Sequence, residues 1–132
     1  MTETPSGPVA LELAGARSSL ESARLLAGAG LGADAVSRAY YAIFHAASAL
    51  VASIGRTART HDGLRALIGE HFIRAGMLGP EHGRALSRIA GDRNDADYNV
   101  AAVFTGADVE EDIARASSFV EAAAVIVAAI EA

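Results

Sequence analysis

The sequence predicts an all-α protein, an up-and-down bundle of four to five helices. Three observations carry this. Hydrophobic residues make up 52% of the 132 residues, much of that alanine, and aromatics only 5%. Small side chains without β-branched runs suit helices packed at close range. Apolar residues recur at spacings of three and four, the period of a helix face. Short connectors separate these stretches, and short connectors join antiparallel neighbours.

Residues 1–7 are small, polar and Pro-bearing, and are expected to be disordered. Residues 8–132 are expected to form a single domain, long enough to bury a core without metal or disulfide help. Pro8 suits the first turn of a helix reaching about Ala27, with Leu13, Ala16, Leu20 and Ala23 on its inner face. The glycines of GAGLG, Gly28 to Gly32, end it. A second helix runs from about Ala33 to Ile54, with Val36, Tyr40, Ile43, Ala47, Leu50 and Ile54 as its core stripe.

Thr60 is a good N-cap for a third helix, His61 to about Ala75, turning Leu64, Leu67, Ile68 and Phe72 inward. Pro80 opens a fourth, reaching about Asp97, with Leu86 and Ile89 inside and Gly91 as the place for a bend. Thr105 and Asp108 form a capping-box-like start to the last helix, about 107–131. Its early acids, Asp108, Glu110, Glu111 and Asp112, sit where the helix dipole favours them. The tail AAAVIVAAI is apolar almost all round, so this helix is expected either at the bundle centre or under a second subunit.

Composition excludes several classes. There is no cysteine, hence no disulfide, thiolate metal site or cysteine nucleophile. The start MTETPSGP is not that of a signal peptide, and no uninterrupted apolar run is long enough for a membrane span. A cytoplasmic protein without membrane contact is the expectation. The net charge of −5 is uneven: residues 1–54 carry −1, residues 55–94 carry +3, and residues 95–132 carry −7. An arginine-rich middle is left, but no whole-protein basic footprint.

The candidate chemistry lies in two stretches. His45, His61, His71 and His82 form no i, i+4 pair with a glutamate, so neither a metal site nor any other cofactor is expected. In SRAYYAIFH, Ser37, Tyr41 and His45 stand about one turn apart on the second helix. Buried, such a stripe needs partners, either across helices or in a polar cleft for a nucleotide or RNA phosphate. In RNDADYN, Arg93 and Asp97 are one turn apart and can pair. Arg93 can instead hold a phosphate with its guanidinium fork, Asn94 orienting it and Tyr98 following.

The blocks SRAYYAIFHAASAL, RTHDGLRALIGEHF and RNDADYNVAAVFT, in that order, resemble the small stand-alone HEPN-domain proteins (higher eukaryotes and prokaryotes nucleotide-binding) over about residues 8–130. The resemblance implies a HEPN-like bundle, a homodimer and a cleft at the dimer interface. Many members are metal-independent ribonucleases, often toxins of toxin–antitoxin or defence-type systems, and some pair with a small nucleotidyltransferase. Their motif is an arginine, a polar residue, a few more, then histidine. Arg93 and Asn94 match its start, but Tyr98 stands where the histidine falls at the commonest spacing, and no histidine follows Arg93. Histidine can act as base and acid near neutral pH, whereas a phenol with a pKa of about 10 is a poor base.

The implied site is therefore Arg93 on phosphate, with Tyr98 or a borrowed His45 or His61 moving the proton, and Ser37, Tyr41, Asn94 and Asp97 around them. Two readings follow. One is a protein acting on or binding RNA or nucleotide, metal-independent endoribonuclease activity included. The other is a catalytically silent module that binds a nucleotidyltransferase-type or other protein partner in an antitoxin-like role.

Overall fold

Local signals for starting and stopping helices divide the chain much as the sequence suggests. The computed structural model describes residues 7–131. Along it run α1 (Pro8–Gly28), α2 (Gly32–Ser53), α3 (His61–Ile68), a π-helical turn (Gly69–Ile73), α4 (Pro80–Tyr98) and α5 (Gly106–Glu131). No strand occurs among the described residues. Pro8 and Pro80 each sit in a first helical turn, where the missing N–H costs nothing. The Thr60 hydroxyl accepts the Gly63 N–H at 2.9 Å to start α3. At α5 the capping box is reciprocal: Thr105 N–H donates to Asp108 Oδ2 at 3.0 Å, and Asp108 N–H to Thr105 Oγ1 at 3.1 Å. The expected disordered start lies outside the described residues except for Gly7.

The bundle is built around α2, which packs against α1, α3, α4 and α5. Its alanines at 35, 39, 42, 46, 47 and 49 are fully buried. Ala16 and Ala23 of α1 are buried as well. Small residues on both surfaces let the helix axes approach closely. Larger side chains fill the remaining core: Ile43, Leu50, Phe72, Ile89, Phe119 and Val120 have no exposed surface. Each such Ile, Leu, Phe or Val contributes roughly 1.5–3 kcal/mol by leaving water.

α4 runs as one helix through Gly91 to Tyr98. Three expectations change. The third helix closes as an α-helix at Ile68 and widens into a π turn, where Arg74 N–H donates to the Gly69 carbonyl at 3.0 Å. Gly69 offers little resistance to that widening. Ile54 caps α2 and is 37% exposed, not core. Asp112, read as a surface acid serving the helix dipole, is wholly buried.

The apolar end of α5 is half covered: Ala123, Ile126 and Val127 are buried, while Val125 is exposed. By length and hydropathy α5 is also able to cross a bilayer, which the sequence reading did not expect, since Glu121 breaks its apolar run. Here it packs against α1, α2 and α4.

Candidate functional site

Tyr40 and Tyr41 are neighbours on α2, and a helix sends neighbouring side chains about 100° apart. Tyr40 turns into the core and is 2% exposed, while Tyr41 lies half-buried at the α2–α4 seam. Arg93 of α4 meets both. Its guanidinium carbon stands 5.0 Å from the Tyr40 ring centre and 5.8 Å from that of Tyr41. Arg93 Nη2 donates to the Tyr41 hydroxyl at 3.4 Å, a long bond. Arg38 reaches the same ring from α2, at 5.6 Å.

Asp97, one turn after Arg93, brings Oδ2 to 2.9 Å from Arg93 Nε. The contact is Coulombic and poorly aligned, since buried Nε has no well-directed acceptor. The other carboxylate oxygen, Asp97 Oδ1, accepts from Ser37 Oγ at 2.6 Å. Arg93 is thereby held from three sides, and its Nη1 has no protein hydrogen-bond acceptor among the described residues. Burial works against its charge, but Tyr41, Asp97 and Tyr40 outweigh burial and keep it protonated.

Tyr40 extends the cluster. Its hydroxyl lies 2.6 Å from His61 Nδ1 at the start of α3. Burial pushes this phenol up to about 12, partly offset by Arg93, so it stays protonated and is able to donate to Nδ1. With Tyr40 as the donor, the His61 ring proton sits on Nε2. The His61 ring also packs edge-on against Phe44, with centroids 5.0 Å apart.

The sequence-derived candidates therefore separate. Arg93, Asp97, Ser37 and Tyr41 come together, and His61 joins them through Tyr40. His45 does not: its Nδ1 lies 2.7 Å from Glu12 Oε2 on α1. The reason is helical drift, since each four-residue step overshoots a full turn by roughly 40°. Ser37 and Tyr41 consequently face α4, and His45 has rotated toward α1. Gly15 lies beside the imidazole there, and a Cβ at that position would stand in ordinary contact with the ring at 3.4 Å.

Tyr98 lies five residues after Arg93 on a continuous helix, roughly 140° around it. It is 74% exposed. Asn94 is exposed too. Neither hydrogen-bonds to the cluster among the described residues. The sequence reading missed Tyr40 and Arg38. Tyr40 fits the apolar period and reads as core, and only its hydroxyl, at the end of a buried ring, asks for a partner. No cluster of metal-ligating side chains occurs among the described residues.

The sequence matches the HEPN domain over residues 11–126. It is 32% identical to a Thermotoga maritima protein named "UPF0332 protein" over 107 residues, 81% of each chain. It is 34% identical to a Methanocaldococcus jannaschii protein named "Putative toxin MJ0605" over 106 residues, 80% of this chain and 78% of that one. A Gloeobacter violaceus UPF0332 protein is 34% identical over 113 residues, 82% of this chain and 86% of its own. The chain belongs to the HEPN family.

Proposed function

We propose that this HEPN protein acts in a toxin–antitoxin or defence-type system by binding a phosphate of RNA or nucleotide at Arg93. The observation that carries the reading is the clamping of the guanidinium by Tyr40, Tyr41 and Asp97 with Nη1 left without a protein partner. A fork fixed in advance loses little entropy on gripping a phosphate. His61 is the imidazole best placed to replace the missing motif histidine. With Tyr40 donating to Nδ1, Nε2–H is a donor suited to hold a phosphate oxygen, and the imidazolium form is the one that would protonate a leaving group.

That arrangement supplies a hydrogen-bond donor and an electrostatic clamp but no base for a ribose 2′-hydroxyl. Binding is therefore the better supported activity. Cleavage calls for a base from elsewhere, a second subunit of a homodimer included. In such a cleavage the 2′-oxygen would attack phosphorus as that base takes its proton, Arg93 would offset the charge developing on phosphate, and His61 as imidazolium would give a proton to the departing 5′-oxygen.

The test is RNA binding and cleavage in EDTA by wild type, Arg93→Ala, His61→Ala, Tyr98→Phe and His45→Ala. Loss of binding in Arg93→Ala, with His45→Ala and Tyr98→Phe close to wild type, is the expected result. Binding by a folded Arg93→Ala at wild-type strength would refute the site.

One observation favours the second reading, a silent module with a protein partner. Tyr98, Val100 and Val103 form an apolar strip beside α4 that is 74%, 106% and 85% exposed. A nucleotidyltransferase-type subunit would cover it, and co-purification of such a protein, lost in Val100→Asp, would mark that role.

A further inference from the structure

A second polar concavity lies away from the Arg93 cluster. It is a groove of about 640 Å³ between α4 and α5, lined chiefly by Glu81, His82, Arg84, Arg88, Arg115 and Ser118. Arg84 and Arg88 stand about one turn apart on α4, roughly 6 Å along the axis. Arg115 and Ser118 face them from α5.

The arginines differ in what they already hold. Arg115 is fixed from behind: Nη1 donates to Asp112 Oδ1 at 2.8 Å, and Nη2 lies 3.4 Å from Glu111 Oε2. Asp112 is wholly buried, so this anchor is rigid. Arg88 touches Asp92 with Nε alone, at 3.4 Å, which leaves its two-pronged Nη edge without a protein acceptor. Arg84 has no hydrogen bond or ion pair among the described residues. Three guanidinium groups thus line one concave surface that contains a single carboxylate, Glu81. Like charges brought together repel unless an anion lies between them.

Asp92, Asp112 and Glu111 behind the wall offset much of this charge, but none of them accepts from the Nη forks of Arg84 or Arg88. Burial, reinforced by Asp92, pushes Asp112 up to about 7, so near neutrality Asp92 and Asp112 together carry less than two negative charges.

The groove also has an end. The adjoining cavity of about 280 Å³ shares Arg88 and Arg115 but is walled by Asp92, Asp95, Asp108 and Glu111. Those carboxylates would repel a phosphate chain running on toward Asn99. The ligand that fits is short, with several negative charges close together.

We propose that the α4–α5 groove is a binding site for a compact oligophosphate, either inorganic or the phosphate tail of a nucleotide, independent of the Arg93 cluster. Arg84 and Arg88 grip adjacent phosphates with their free forks, the anchored Arg115 closes the opposite wall, and Ser118 and His82 supply further hydrogen-bonding groups.

The experiment is a low-salt titration of the full chain followed by amide and arginine side-chain NMR. The probes are tripolyphosphate, adenosine triphosphate, and a short oligouridylate with no terminal phosphate. Variants are Arg84→Glu, Arg84→Gln and Arg93→Ala. Saturable shifts on α4 and α5 with tripolyphosphate are expected, weakened by roughly tenfold or more in both Arg84 variants and unchanged in Arg93→Ala. Equal affinity for tripolyphosphate and adenosine triphosphate would place recognition in the phosphates alone, and tighter adenosine triphosphate binding would assign the groove to a nucleotide tail. No shift with either, binding insensitive to Arg84, or binding of the oligouridylate alone would overturn the proposal.

Discussion

The Ser37 hydroxyl of α2 donates to Oδ1 of Asp97 on α4 at 2.6 Å, while the same carboxylate turns Oδ2 to Arg93. One carboxylate therefore fixes a guanidinium within its own helix and ties that helix to α2. Removing the hydroxyl leaves the ion pair but unties it from α2. Ser37→Ala should cost about 0.5–1 kcal/mol in urea unfolding, as for a partly exposed hydrogen bond. It should also broaden the Arg93 Nε resonance in NMR spectra. A sharp resonance at wild-type position would show that Arg93 is held without Ser37.

Tyr40→Phe isolates the second link. The ring stays beneath Arg93, and only the bond to His61 Nδ1 is lost. Loss of one buried hydroxyl contact should cost about 1 kcal/mol. The imidazole nitrogen shifts should pass from an Nε2–H pattern in the wild type to a mixture of tautomers in the variant. An unchanged tautomer would mean that something other than Tyr40 sets it.

Most of the fold was legible because its signals are local. Pro8, Thr60, Pro80 and the Thr105–Asp108 box each act within a few residues, and each marks a helix start in the structure. The seam was legible in part. Arg93 and Asp97 are one turn apart and visible as a pair, whereas the link from Tyr40 to His61 joins α2 to α3, and no periodicity encodes a contact between helices. Helical drift was the error behind reading Ser37, Tyr41 and His45 as a single stripe. Asp112 was misread for a related reason: its acidic neighbours on α5 suggest a solvated turn, but at the α4 interface burial depends on the opposing helix.

Asp112→Asn tests that buried acid. Burial and the adjacent Asp92 raise the Asp112 carboxyl from 3.8 to about 7 in the folded chain. Between those values the folded state holds a proton that the unfolded state has released, so this residue makes stability fall as pH rises. The contribution is complete below about 4 and lost above about 7. An asparagine keeps an oxygen for Arg115 and offers an N–H to Asp92 without any titration. Urea unfolding from pH 4 to 8 should show the wild type weakening through that window and the variant staying flatter, at least as stable at pH 8. Parallel curves would mean that Asp112 does not carry the proton.

Gly91 offers the converse test, a gain. It lies inside α4, two residues before Arg93, and α4 continues through it as one helix. A Cβ added there would meet nothing within 4 Å. Glycine in a helix interior costs about 0.8–1 kcal/mol relative to alanine because the unfolded chain has more freedom to lose. Gly91→Ala should therefore raise stability by about that amount. The side chain points into open space, so Arg93 and Asp97 should keep their geometry, and RNA binding by the variant reports whether helix flexibility matters to the site. Higher stability with unchanged binding would make Gly91 a tolerated weakness. Higher stability with weaker binding would show that α4 must bend at Gly91 for Arg93 to meet its ligand.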